Sequence, residues 1–218
     1  MTPEGLAELL SKKYRIIDLS VEIHPGVQKV DGSYHWGNQL RKFELRQFVA
    51  PGPHFMYWVD TETHVGTHVE LPAHLYQDGK AATDIPLETF MGECIVIKAD
   101  GAQARTGHIE IGPEHLQNVK PGDIVLLYSP PGQSCSVAPA ATRLLASLPI
   151  KMLGVQNVAA PNDLHEAFLG KEQPIPIIEE MVHLDQIVKE RVFFIGFPLR
   201  VAEMDSSWIR AVAFEPRD

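Results

Sequence analysis

Between residues 92 and 169, short apolar segments alternate with helix-forming ones, and this alternation constrains the fold more than any other feature of the chain. Residues 92–99, 124–128 and 151–156 are apolar runs of strand length bounded by turn residues. Gly112-Pro113-Glu114 opens a short helix with proline in its first turn, and Lys120-Pro121-Gly122-Asp123 turns the chain into the next strand. Residues 139–148 and 162–169 read as helices, the second stopped at Gly170, and residues 175–178 and 191–197 as further strands. The first half adds an amphipathic helix over 3–13, with Leu6, Leu9 and Leu10 on one face, and strands over 14–23 and 40–50. No repeat or low-complexity tract interrupts the 218 residues, so the expectation is one strand-rich α/β domain over residues 1–218.

Charge and composition exclude several functions. Nineteen Lys and Arg face 28 Asp and Glu, a formal net charge of −9, which disfavours nucleic acid and anionic membrane surfaces as partners. No segment approaches the run of about 20 apolar residues that spans a bilayer, and the N-terminus lacks a basic segment followed by an apolar one, so a cytoplasmic location is expected. Two cysteines cannot build a disulfide framework or a four-cysteine zinc site; Cys94 reads as core and Cys135 as a bystander thiol in an exposed loop. There is no Gly-x-Ser-x-Gly elbow and no glycine-rich phosphate loop.

Histidine carries the signal. His64-Val-Gly-Thr-His68-Val-Glu70-Leu-Pro-Ala-His74 holds three of the chain's ten histidines in eleven residues, where about 0.5 would be expected from that count. Imidazoles with an interposed carboxylate suit zinc, manganese or iron(II). A helix is disfavoured by Val65, Gly66, Thr67, Val69 and Pro72, and an extended chain would put His68, Glu70 and His74 on one face. In a straight strand His64 and His68 would lie about 13 Å apart, too far to share an ion at ligand angles. The chain must therefore bend at Gly66-Thr67.

This segment closely resembles the signature of the cyclase family of metal-dependent hydrolases, which includes bacterial-type kynurenine formamidase and isatin hydrolase. Glu70 stands where the family pattern has Asp; the other fixed positions match. Asp18-Leu19-Ser20, Ile85-Pro86-Leu87 with Met91-Gly92, residues 119–126, and residues 165–170 followed by Ile177-Ile178-Glu179 are similar to further family segments. The resemblance implies a swivelling β/β/α fold, a divalent metal centre and a small-molecule substrate, aromatic or cyclic in known members. It also implies a homo-oligomer. By position, His64, His68 and Glu70 would hold a first metal, zinc or manganese, and Glu70, His165 and Glu179 a second where one is present. His74 would be the general acid/base. Glu180 adjoins Glu179, and strand alternation points the two to opposite faces, so only one can serve.

The activity so implied is hydrolysis of an amide, lactam or lactone. The alternative is a catalytically silent metal- or small-molecule-binding protein on the same fold. His24, His35, His54, His108, His115 and His183 are scattered and read as surface or structural residues. Tyr34, Trp36, Phe43, Phe55, Tyr57 and Trp58 read mostly as core or interface, with Trp36 a candidate for lining a substrate pocket.

Overall fold

The three apolar runs become the parallel centre of a nine-stranded sheet. The computed structural model describes residues 12–28, 41–52, 54–99, 107–170 and 172–217. In chain order the elements are β1 (Tyr14–Asp18), β2 (Gly26–Gln28), β3 (Arg41–Ala50), β4 (His54–Thr61), β5 (His68–Glu70), β6 (Met91–Lys98), β7 (His108–Ile111), β8 (Ile124–Tyr128) and β9 (Ser134–Val137). They continue as α1 (Pro139–Ser147), β10 (Met152–Gln156), α2 (Asn162–Leu169), β11 (Ile177–Glu179), β12 (Arg191–Ile195), β13 (Ser206–Trp208) and β14 (Val212–Pro216). The large sheet runs β1-β14-β12-β6-β8-β10-β11-β5-β13. β6, β8, β10 and β11 are mutually parallel, and β5 and β13 extend one end antiparallel.

Strands covered on both faces can be apolar at every position. Ile95, Val125, Leu127, Leu153 and Val155 join one buried cluster with Leu145 of α1 and Leu164 and Phe168 of α2. Cys94, Val96, Ile124, Leu126 and Met152 join the opposite cluster with Phe90, Phe194 and Ala213. Each large side chain buried this way contributes about 1.5–3 kcal/mol. At the β5 end the same alternation sends Val69 and Ile178 into the second cluster, which leaves His68, Glu70 and Glu179 on the face that carries α2.

Several expectations need correction. The first strand stops at Asp18 rather than residue 23, because the Val21 amide donates to Thr67 Oγ1 instead of a ladder partner. The segment 72–74 is a 3-10 turn, not an extension of β5, with Pro72 at its start and the His74 amide bonded to the Leu71 carbonyl. Cys135 is buried in β9, whose parallel pairing with β7 removes it from the surface. Phe55, Tyr57 and Trp58 are not core: they lie on β4, which pairs with β3 in a separate three-stranded sheet and is exposed along nearly its whole length. The helix over 3–13 lies outside the described residues except for helical Lys12 and Lys13, and Tyr34, His35 and Trp36 lie outside them entirely. Among the described residues no helix is long and apolar enough to cross a membrane.

Candidate metal centre

The bend expected at Gly66 is present. Gly66 has φ +73°, and a Cβ there would come within 2.5 Å of Ile23 Cδ1, so both the dihedral and the space require glycine. The bend folds His64 back over β5 until its Nδ1 lies 3.2 Å from His68 Nε2 and 3.2 Å from Glu70 Oε1. β5 is clamped between β11 and β13: Glu179 pairs with His68, and Ile177 and Ser206 both pair with Glu70. His165 sits on the buried face of α2, with its Nε2 2.9 Å from Glu70 Oε2 and 3.7 Å from Glu179 Oε1. The turn after β5 brings His74 Nε2 to 3.8 Å from Glu70 Oε1. All six residues singled out in the sequence therefore meet around one carboxylate. Glu180, in contrast, has φ +57° and leaves the strand, and its carbonyl accepts the Thr67 hydroxyl.

Each of the four imidazoles has one ring nitrogen engaged by an oxygen acceptor and the other turned toward Glu70. His68 Nδ1–H donates to the Gly66 carbonyl at 2.7 Å, and His165 Nδ1–H to the Pro161 carbonyl at 3.1 Å. His64 Nε2 and His74 Nδ1 both face Asp205 Oδ2, at 2.8 and 3.4 Å. An acceptor at one nitrogen fixes the hydrogen there and leaves a lone pair on the other, which is how metal-ligating histidines are held.

The electrostatics agree. With neutral imidazoles, the carboxylates of Glu70, Glu179 and Asp205 leave an excess of negative charge in a largely buried space. Burial opposes a charge on His64, but its hydrogen bonds to Asp205 and Glu70 win and raise its pKa to about 9. Burial likewise opposes charge on His165, and Glu179 and Glu70 raise it to about 10. Glu70 is held far below the ordinary carboxylate range: burial works against ionisation, and His165, His64 and His68 overcome it. Asp205 is held low by His64 and His74, against its own desolvation.

These residues fit a divalent cation. Without one, the cluster must bind protons to balance its charge, and Glu70 Oε2, although 2.9 Å from His165 Nε2, is buried and, among the described residues, not aligned with any hydrogen-bond donor. His64, His68 and Glu70 form one group whose ligand atoms all lie within 4.8 Å of one another; Glu70, His165 and Glu179 form a second, and His64, His74 and Asp205 a third. Glu70 belongs to two of them, with Oε1 toward His64, His68 and His74 and Oε2 toward His165.

A family model described as "Putative cyclase" matches residues 17–160, about two thirds of the chain. The chain belongs to this cyclase family. Kynurenine formamidase of Delftia acidovorans is 28% identical over 204 residues, covering 88% of this chain and 95% of that protein. Isatin hydrolase A from Labrenzia aggregata, solved with benzyl benzoate bound, superposes with a TM-score of 0.79 at 20% identity and 98% coverage of both chains. A structure titled a potential metal-dependent hydrolase with cyclase activity superposes with a TM-score of 0.72 at 20% identity, covering 94% of this chain and all of the other. The strand-rich α/β architecture is thus the cyclase-family fold, as the signature implied.

One residue of this cyclase-family site escaped the sequence reading. Asp205 stands alone among acidic and small residues near the C-terminus, 131 positions from His74, and no spacing rule connects the two. Only the pairing of β13 with β5 brings it in. Among the described residues the scattered histidines stay apart from the cluster: His24 and His54 are exposed, His108 bonds Ser134 and Ser136, His115 stays within the turn at Gly112, and His183 bonds the Asp18 carbonyl.

Proposed function

We propose that this protein is a metal-dependent hydrolase that opens the C–N bond of a small amide or lactam, or the equivalent bond of a lactone, with aromatic or cyclic substrates as the class. The observation that carries this reading is the common orientation of the four imidazoles, each with its outer nitrogen engaged and its inner nitrogen facing Glu70. The family membership and the activities in the names of its relatives, kynurenine formamidase and isatin hydrolase, support the same reading.

His64 Nδ1, His68 Nε2 and Glu70 would hold one zinc or manganese ion, and Glu70, His165 and Glu179 a second where two bind. A divalent ion there supplies a Lewis acid for the substrate carbonyl and lowers the pKa of a water it binds. The side chain of His74 is 24% exposed, against 13% for His64, 9% for His165 and 0% for His68, so it is the imidazole best able to meet substrate. In this role its Nε2 accepts a proton from the attacking water and returns it to the leaving nitrogen, or to the leaving oxygen of a lactone. The Gly66 and Pro161 carbonyls and the Asp205 carboxylate orient the imidazoles, and the Glu70 carboxylate lies 3.2 Å from His64 and 2.9 Å from His165.

In the same reading the chain works as a homo-oligomer, and the β3–β4 hairpin is the surface that meets a second copy. Phe55, Tyr57 and Val59 share one face of it and remain more than half exposed. Phe43 on β3 packs against Trp208, the residue paired with His68, so this surface is continuous with the site.

Metal analysis of the purified protein, followed by turnover assays with N-formylkynurenine, isatin and simple lactones, tests the proposal. Stoichiometric metal with turnover of at least one such substrate is expected. Stoichiometric metal without turnover of any formamide, lactam or lactone would favour the silent binding protein.

A further inference from the structure

We infer that Asp205 is a positioning residue of this site: a single carboxylate oxygen that selects which ring nitrogen carries hydrogen on both His64 and His74. The inference rests on the hydrolase reading for its consequence and on geometry for its content. Oδ2 of Asp205 lies 2.8 Å from His64 Nε2 and 3.4 Å from His74 Nδ1. The two tautomers of a neutral imidazole differ little in energy, so an acceptor at one nitrogen decides between them. With hydrogen on Nε2, His64 keeps a lone pair on Nδ1, the atom facing His68 and Glu70. With hydrogen on Nδ1, His74 keeps a lone pair on Nε2, the atom that would handle the proton.

Asp205 is itself held on three sides. Its Oδ1 accepts the Thr63 hydroxyl at 2.9 Å, and its carbonyl accepts the Leu71 amide at 3.0 Å. The next residue, Ser206, pairs with Glu70 and donates its hydroxyl to the Thr63 carbonyl. The ladder that places Glu70 therefore also places Asp205, so the ligand set and the proton carrier share one rigid reference. Asp205 could alternatively ligate a cation together with His64 and His74. Against this, Oδ1 is already occupied by Thr63, and Oδ2 stands at hydrogen-bond distance from the imidazole nitrogens turned away from Glu70.

Long-range 15N–1H imidazole spectra of the zinc-loaded protein read the tautomers directly, and Asp205→Asn and Asp205→Ala test their cause. In the wild type His74 should carry hydrogen on Nδ1. In Asp205→Asn the amide NH2 can donate to the rings, and the His74 pattern should shift toward hydrogen on Nε2. Both variants should bind stoichiometric zinc at saturation, with affinity about 10–100-fold weaker in chelator competition. At saturating zinc, kcat should fall at least 10-fold with KM near the wild-type value. An Nε2–H His74 in the wild type, an unchanged ring pattern in Asp205→Asn, or wild-type kcat at saturating zinc overturns the inference. So does complete loss of zinc from Asp205→Ala, which would make Asp205 a ligand. If the wild type binds no metal the hydrolase reading fails, while the ring spectra of the metal-free protein, recorded above the His64 pKa of about 9 so that the ring is neutral, still decide the role of Asp205.

Discussion

β5 and β4 lie within fifteen residues of each other and present opposite solutions to the same problem. β5 has three residues, two of them His and Glu, and all three are buried. β4 has eight residues rich in aromatics, and seven of them are exposed. Hydrophobicity alone would reverse that assignment. β5 is buried because it is paired on both sides, by β11 and β13, and because Val69 anchors its other face in the core. Its polar side chains then have no water to turn to and must satisfy one another or an ion. Among the described residues β4 is paired only with β3, at the edge of a small three-stranded sheet, and its own side chains stay exposed. The difference teaches that pairing partners, rather than residue type, decide burial here.

The largest effect that would break this contrast is at the centre of the buried strand. His68→Ala should lose bound metal and turnover together, because a ligand at a fully buried position is gone; Trp58→Ala on β4 should keep its full metal content. Elemental analysis of both variants decides the matter, and metal retained by His68→Ala sinks the ligand assignment. His74→Ala should keep its metal and lose about 10²–10⁴-fold in kcat, the usual scale for a general acid/base. Loss of metal in that variant would make His74 a ligand instead.

Stability sharpens the contrast further. Phe168→Ala, beneath the site on α2, should cost about 3–5 kcal/mol in denaturant unfolding, because it opens a cavity in a fully buried cluster.

Stripping the metal should make stability of the site region depend on pH at both ends. Glu70 and Asp205 have depressed pKa values, so their contribution is present above pH 4–5, roughly the unfolded range, and fades as pH falls. His64 and His165 have raised values, so theirs is complete below about pH 6.5 and fades as pH rises through about 9 and 10. Chelator-treated protein should thus melt highest near pH 5–6.5, whereas the metal-loaded form should gain stability toward neutral and higher pH, where the ligands are deprotonated. A flat or identical pH profile for the two forms would contradict the shared ion site.

The smallest effect belongs to the hairpin. Phe55→Ala, 69% exposed, should change the unfolding free energy by no more than about 0.5 kcal/mol at dilutions where the chain is monomeric. Phe55→Asp should lower the mass seen by light scattering at higher concentration. An unaltered oligomer would place the interface elsewhere.

Read alone, the sequence determined the class of the fold and the heart of the site. Apolar strands of five to eight residues alternating with helices can be covered only by an α/β arrangement, and a Gly between two histidines can only mean a bend if both reach one ion. His165 and Glu179 were legible through their family segments, but what separates Glu179 from Glu180 is not strand alternation: β11 ends at Glu179, and Glu180 turns away at φ +57°. The chain alone could not place His74, Cys135, the aromatics of β4, or Asp205. Pro72 stiffens the approach to His74 either as extended chain or as a turn, and the Leu71 carbonyl, bonded to the His74 amide, selects the turn. Cys135 is polar-flanked in sequence and becomes core only through a parallel partner some 26 residues away. Asp205 acquires its function from a strand pairing that spans more than 130 residues. Local propensity carries no record of such pairings: they are decided by which edges remain open once the central sheet has formed, and that is a property of the assembled tertiary structure.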